Sequence, residues 1–195
     1  MLTLTLMRLH RDANALARDS HLMHRTLLSV TGGVRPLWCL PNNSTLIIQH
    51  DMPLADMPVG LVVNSSSAQV RVDYDQGERV SITLIGAPVA SSGEWVRDDK
   101  GEPTGRKRRS YRMIPPVEQP NWLVRQLSDA LTLEDIRVEP MRPSKGLKAE
   151  RTITWSRVAF AARGIVADPD RLRTRIIEGV GHGRAFGLGL LMVTS

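Results

Sequence analysis

Five glycines fall within the eleven residues Gly179-Val180-Gly181-His182-Gly183-Arg184-Ala185-Phe186-Gly187-Leu188-Gly189, and the apolar run Leu190-Leu191-Met192-Val193 follows at once. The stretch from Asp168 to Glu178 reads as a helix, so the order is helix, glycines, strand. A dinucleotide fingerprint needs the reverse, a strand before the glycines and a helix after them, and no Gly-Lys-Ser/Thr triplet marks a P-loop. Two readings of the segment stand. Successive N–H groups can form an anion-binding concavity, with His182 and the planar fork of Arg184 on a phosphate. Alternatively the glycines make a tight helix-to-strand turn in which backbone packs closely, since no Cβ intervenes.

A chain of 195 residues holds one sizeable domain or two small ones. Aromatics make up 4% of it, so Leu, Val, Ile and Met fill most of the core. The single cysteine, Cys39, excludes a disulfide framework and a multi-cysteine metal site, and its apolar neighbours Trp38 and Leu40 suggest an inert buried thiol. No apolar run approaches the roughly 20 residues that span a bilayer. The N-terminus, Leu2 to Met7, alternates like a strand and is unlike a signal peptide. The chain is therefore expected to be cytoplasmic, with no membrane partner. Net charge is +6, and Arg106, Lys107, Arg108, Arg109 and Arg112 carry five of those charges within seven residues. An excess so local suits a polyanion-binding surface. Edge protection is the other reading of such a strand, although one or two lysines would suffice for it.

Strands are expected at Leu2–Leu9, Leu37–Leu40 and Thr45–His50, with a first helix capped by Asp19 or Ser20 and running to Val30. Residues 52–68 contain two prolines and a serine run and read as a loop. Gln69–Tyr74 and Arg79–Ile85 alternate as strands. The composition breaks at Gly86-Ala87-Pro88, which places the boundary between domains 1–86 and 87–195 there. The second half opens with a basic ribbon, Glu94–Asp98 and Arg106–Ile114. A helix at Val117–Leu131 follows, then strands at Leu133–Met141 and Ala149–Ala162. A helix at Arg171–Glu178 and a last strand at Phe186–Val193 complete it. This order predicts an α+β fold of two tandem ferredoxin-like, RRM-like domains. The RNP aromatic motifs of a typical RRM are missing, so base stacking on a sheet face is not the expected binding mode.

His21 and His24 lie three residues apart on the first helix, with Arg25 beside them, so both imidazoles share a face. A histidine pair can exchange protons near neutrality. RNA supplies its own nucleophile, the 2′-hydroxyl: one imidazole takes its proton, a second group protonates the leaving 5′-oxygen, and Arg25 or Arg184 stabilises the phosphorane. That route needs no metal and no cofactor. The plainer reading is a pair of exposed helix histidines without a role. His10 and His50, on strands, read as structural.

At this point the residues resemble a family, the CasE family of type I-E CRISPR repeat-processing endoribonucleases. The strongest likeness is the C-terminal Gly179-Val180-Gly181…Arg184…Gly187-Leu188-Gly189-Leu190-Leu191. Others are the helix carrying His24, the strand end Leu46 to Pro53 with Gln49, Met52 and Pro53, and the basic strand leading into Pro115 and Trp122-Leu123. The resemblance implies two ferredoxin-like domains, a repeat hairpin RNA as substrate, and metal-independent cleavage at the base of the stem that leaves a 2′,3′-cyclic phosphate. It also implies continued residence on the product RNA with the other subunits of the Cascade complex. The family's active-site histidine falls on His24. Its frequent tyrosine falls on His21, a departure that bears on the second catalytic group. A non-catalytic subunit binding structured RNA is the alternative from another class.

Overall fold

The computed structural model of the protein describes residues 1–148 and 151–195, without the side chains of residues 94, 103, 106–109, 148 and 151. Its first sheet comprises β1 (Thr3–Leu9), β2 (Leu37–Asn42), β3 (Thr45–His50) and β4 (Val62–Gln69), in the order β2-β3-β1-β4. β1 pairs antiparallel with both β3 and β4, and β2 with β3. A short helix α1 (Asn14–Arg18) leads into α2 (Ser20–Val30). The Asp19 carboxylate accepts from the N–H groups of His21 (2.9 Å) and Leu22 (3.0 Å), satisfying two donors that the first turn leaves orphaned. Met23 and Leu27 are buried against Met7, Leu9, Trp38, Leu46 and Ile48, and Val30 is buried as well. Complete burial of Met23 and Leu27 contributes roughly 1.5–3 kcal/mol each. The segment between β3 and β4, where the fold order calls for a second helix, has none.

The second sheet has the same topology. β5 (Arg79–Gly86), β8 (Leu131–Lys148), β9 (Arg151–Val166) and β10 (Leu191–Thr194) lie in the order β10-β5-β9-β8. Helices α3 (Gln119–Leu127) and α4 (Pro169–Glu178) cover one face, burying Trp122, Leu123, Leu127, Leu172 and Ile176 on Val80, Ile82, Leu84 and Phe160. The ribbon β6 (Val89–Arg97) and β7 (Pro103–Met113) is inserted between β5 and α3. The other faces of the two sheets meet in a shared cluster of Leu37, Cys39 and Ile47 with Ile85, Ala87, Leu188 and Leu190. Two side chains also bind the halves together. Gln49 Nε2 donates to the Ile176 carbonyl at 2.8 Å, and an Arg157 guanidinium nitrogen donates to the Leu40 carbonyl. Burial pushes the Cys39 thiol up to about 12, so it is inert as expected.

Several expected elements are redrawn. The loop at 52–68 contains β4: its exposed polar sequence lacks the apolar alternation of a half-buried strand, and pairing to β1 forms it. Residues 70–78 are not a strand, because the chain there turns from one sheet to the other. β5 pairs with β9 and β10, so it belongs to the second sheet although it precedes Gly86. β8 runs to Lys148, well past its expected end at Met141, and forms a long hairpin with β9 (Arg151–Val166), whose expected start, Ala149, lies outside the described residues. Pro143 and Gly146 obscure the outer part of β8 in sequence, yet β8 is an edge strand, and Pro143 lies where the register shifts between Met141 and Ser144. The last strand starts at Leu191, because Arg184–Phe186 form a 3₁₀ turn.

Candidate active site

Three elements converge at the start of α2. Ser20 Oγ donates to the Lys145 carbonyl (2.8 Å), and the Asp19 carboxylate also accepts from the Leu147 N–H (3.4 Å), so the β8–β9 hairpin is tied to the helix cap. Contact is closest at Gly146, where a Cβ would stand 3.1 Å from the backbone nitrogen and Cβ of His21 and from Phe186 Cε1. The turn Arg184–Phe186 also packs on α2, and Ser144 Oγ donates to the Phe186 carbonyl at 3.3 Å. The fold thus gathers residues 19–24, 144–147 and 184–186.

His24 is partly buried, and its Nδ1 is enclosed without a hydrogen-bond partner. Burial, the Arg35 cation and His21, in that order, hold its pKa below the usual imidazole value. The lowered pKa disfavours the imidazolium and so favours the neutral, proton-accepting form of the ring. His21 is close enough to act on it. Arg25 is exposed. Arg184, the first residue of the turn, is partly buried. Sequence spacing pointed to both histidines but not to Arg35, which reaches His24's surroundings from beyond the helix stop at Gly32-Gly33. The hairpin tip was equally out of reach, because its contacts cross more than 120 positions of chain. His50 is structural: its Nε2 lies 2.8 Å from Thr5 Oγ1 and its Nδ1 2.7 Å from the Met52 carbonyl oxygen.

The glycine segment is first of all a packing device. Gly187, at φ 75°, lies flat on Trp38, where a Cβ would come within 2.7 Å of the indole ring. Gly189, at φ 86°, crosses Val180 so closely that a Cβ would meet its carbonyl oxygen at 2.5 Å. The N–H groups of Gly179, Val180, Phe186, Gly187 and Gly189 are bonded to backbone carbonyls, leaving the stretch around His182 as the exposed part. His182 packs against Tyr111 of β7, with centroids 5.2 Å apart, which joins this loop to the ribbon. Of the ribbon's cations, Arg112 is exposed, whereas the side chains of Arg106, Lys107, Arg108 and Arg109 lie outside the described residues. Among the described residues, no three His, Cys, Asp or Glu are grouped to hold a metal ion, and no helix is long and apolar enough to cross a membrane.

Known proteins share this architecture. The chain is 33% identical over 91 residues to the CRISPR-associated endoribonuclease Cse3 of Thermus thermophilus. That match spans 40% of this chain and 43%, under half, of that relative. A structure of CRISPR endoribonuclease Cse3 bound to a 19-nucleotide RNA superposes with a TM-score of 0.74 at 25% identity, covering 100% of this chain and 98% of that one. A chain of Escherichia coli Cascade bound to a PAM-containing double-stranded DNA target has the same fold, with a TM-score of 0.59 at 19% identity over 98% of this chain and 97% of that one. The family described as CRISPR associated protein matches residues 1–195, the full sequence, and the chain belongs to that family.

Proposed function

We propose that this chain is an endoribonuclease that binds CRISPR repeat hairpin RNA, cuts it at the base of the stem, and stays with the product among the other Cascade subunits. The observation that carries the reading is His24: a partly buried imidazole whose charged form burial disfavours, near His21, on a helix against which the Arg184 turn packs. His24 removes the proton of the 2′-hydroxyl next to the scissile phosphate. The 2′-oxygen attacks phosphorus, a 2′,3′-cyclic phosphate forms, and the bond to the 5′-oxygen breaks as His21 gives that oxygen a proton. Arg184, Arg25 and Arg35 are the cations available for the charge that builds on the phosphorane. His21 takes the place of the family's tyrosine and, unlike it, can carry the transferred proton as a cation.

The ribbon grips the stem: Arg106, Lys107, Arg108, Arg109 and Arg112 hold its phosphates, and His182 and Arg184 hold backbone at its foot. The two units are residues 1–69 and 79–195, a division supported by β5 joining the second sheet. Incubating end-labelled repeat hairpin with the intact protein in EDTA tests the reading. A single cut at the stem base with a cyclic phosphate end is expected. Tight binding without cleavage, across several repeat sequences, would instead make the chain a non-catalytic RNA-binding subunit.

A further inference from the structure

Of the eight aromatic residues, Trp38, Tyr74, Trp122 and Phe160 are core. Trp95 is an exposed residue of the ribbon. The remaining three, brought from distant parts of the sequence, join His182 in a line of ring contacts in which Tyr111 and His182 are exposed and Trp155 and Phe186 are partly buried. His182 packs against Tyr111 with planes 59° apart. Tyr111 meets Trp155 at 5.8 Å and 51°, and Trp155 meets Phe186 at 5.8 Å and 39°. Phe186 and His21 then touch the same point above Gly146. The strip therefore runs from the root of the ribbon to the catalytic helix. Its outer end is open, since Tyr111 is 44% exposed and His182 is exposed as well. Exposed Arg112 adjoins Tyr111, and Arg184 stands two residues from His182.

Bases inside a duplex are stacked on one another and offer no face to such a ring, whereas unpaired bases do. We infer that Tyr111, with His182, is a stacking site for an unpaired nucleotide at the foot of the hairpin stem, held in place by the ring contacts with Trp155 and Phe186 that lead back to the start of α2. This inference rests on the hairpin-cleaving reading. It adds a specificity residue, because affinity would then depend on single-stranded flank as well as stem.

The test compares a repeat hairpin carrying a few flanking nucleotides with the bare stem-loop, for the intact protein, Tyr111→Leu and Tyr111→Phe. One flank base is replaced by 2-aminopurine. The intact protein should bind the flanked RNA about tenfold more tightly, as one stacked base allows, and should quench the 2-aminopurine. Tyr111→Leu should lose both effects yet bind the bare stem-loop normally, and Tyr111→Phe should keep both. Equal affinity of the intact protein for the two RNAs without quenching, or equal losses on both RNAs in Tyr111→Leu, would overturn the stacking site. Failure of the intact protein to bind either hairpin would instead overturn the hairpin reading itself, and the stacking site with it.

Discussion

His24 owes its chemistry to what surrounds it rather than to its residue type. Burial, Arg35 and His21 all lower its pKa, so a reaction that needs its neutral form fails only once the pH drops below the ordinary imidazole range near 6.5. The acid limb of a single-turnover cleavage profile should therefore lie below pH 6.5. Arg35→Gln removes one of the charges opposing protonation, so it should move that limb upward while leaving a residual depression from burial. An unmoved limb would show that Arg35 does not act on His24. Gly187 shows the same dependence on surroundings in packing. At φ 75° with Trp38 beneath it, Gly187→Ala both strains the backbone and collides with the indole. It should lower stability by about 1–3 kcal/mol, measurable as a drop in melting temperature. The histidines and glycines stood out in the sequence because their spacing is local. What each one touches did not, because Arg35 and Trp38 are placed by the fold.

At the scale of elements, the β8–β9 hairpin is the part the sequence hid best. Pro143 and Gly146 broke the alternation of its outer part, and its length comes from pairing along an edge that tolerates them. Yet that hairpin fixes the start of α2, which carries His21 and His24. Gly146→Val would press on the backbone of His21 and on Phe186. It should slow cleavage by about tenfold or more through misplacement of α2, with stem affinity retained. A rate equal to that of the intact protein would separate the hairpin from catalysis. The ribbon, by contrast, was plain from its charge run, although β6 begins five residues earlier than expected, at Val89. Replacing Arg108 and Arg109 by Ala should weaken hairpin binding and reduce the slope of log affinity against log salt by about two. An unchanged slope would remove both arginines from the phosphate contacts.

Over the whole molecule, the repeated strand–helix order was readable because it follows the apolar periodicity of each half. Where the halves divide was not, since the turn from β4 to β5 has no strong break in composition and only sheet pairing assigns β5. The halves form one working surface because the first supplies α2 and the second supplies the hairpin, the Arg184 turn and the ribbon. Gln49 helps hold them in register through the Ile176 carbonyl in the last turn of α4, next to the glycine segment. The central claim is that binding and chemistry are separable on this surface, with His24 responsible for the chemistry alone. It is tested most directly by single-turnover cleavage of a repeat hairpin, by the intact protein and by His24→Ala, with hairpin affinity measured in parallel. A hairpin with a 2′-deoxy residue at the cut serves as the second arm. The account predicts that either change abolishes cleavage while affinity stays within about twofold of the original. Undiminished cleavage by His24→Ala, or cleavage of the 2′-deoxy hairpin, would contradict it.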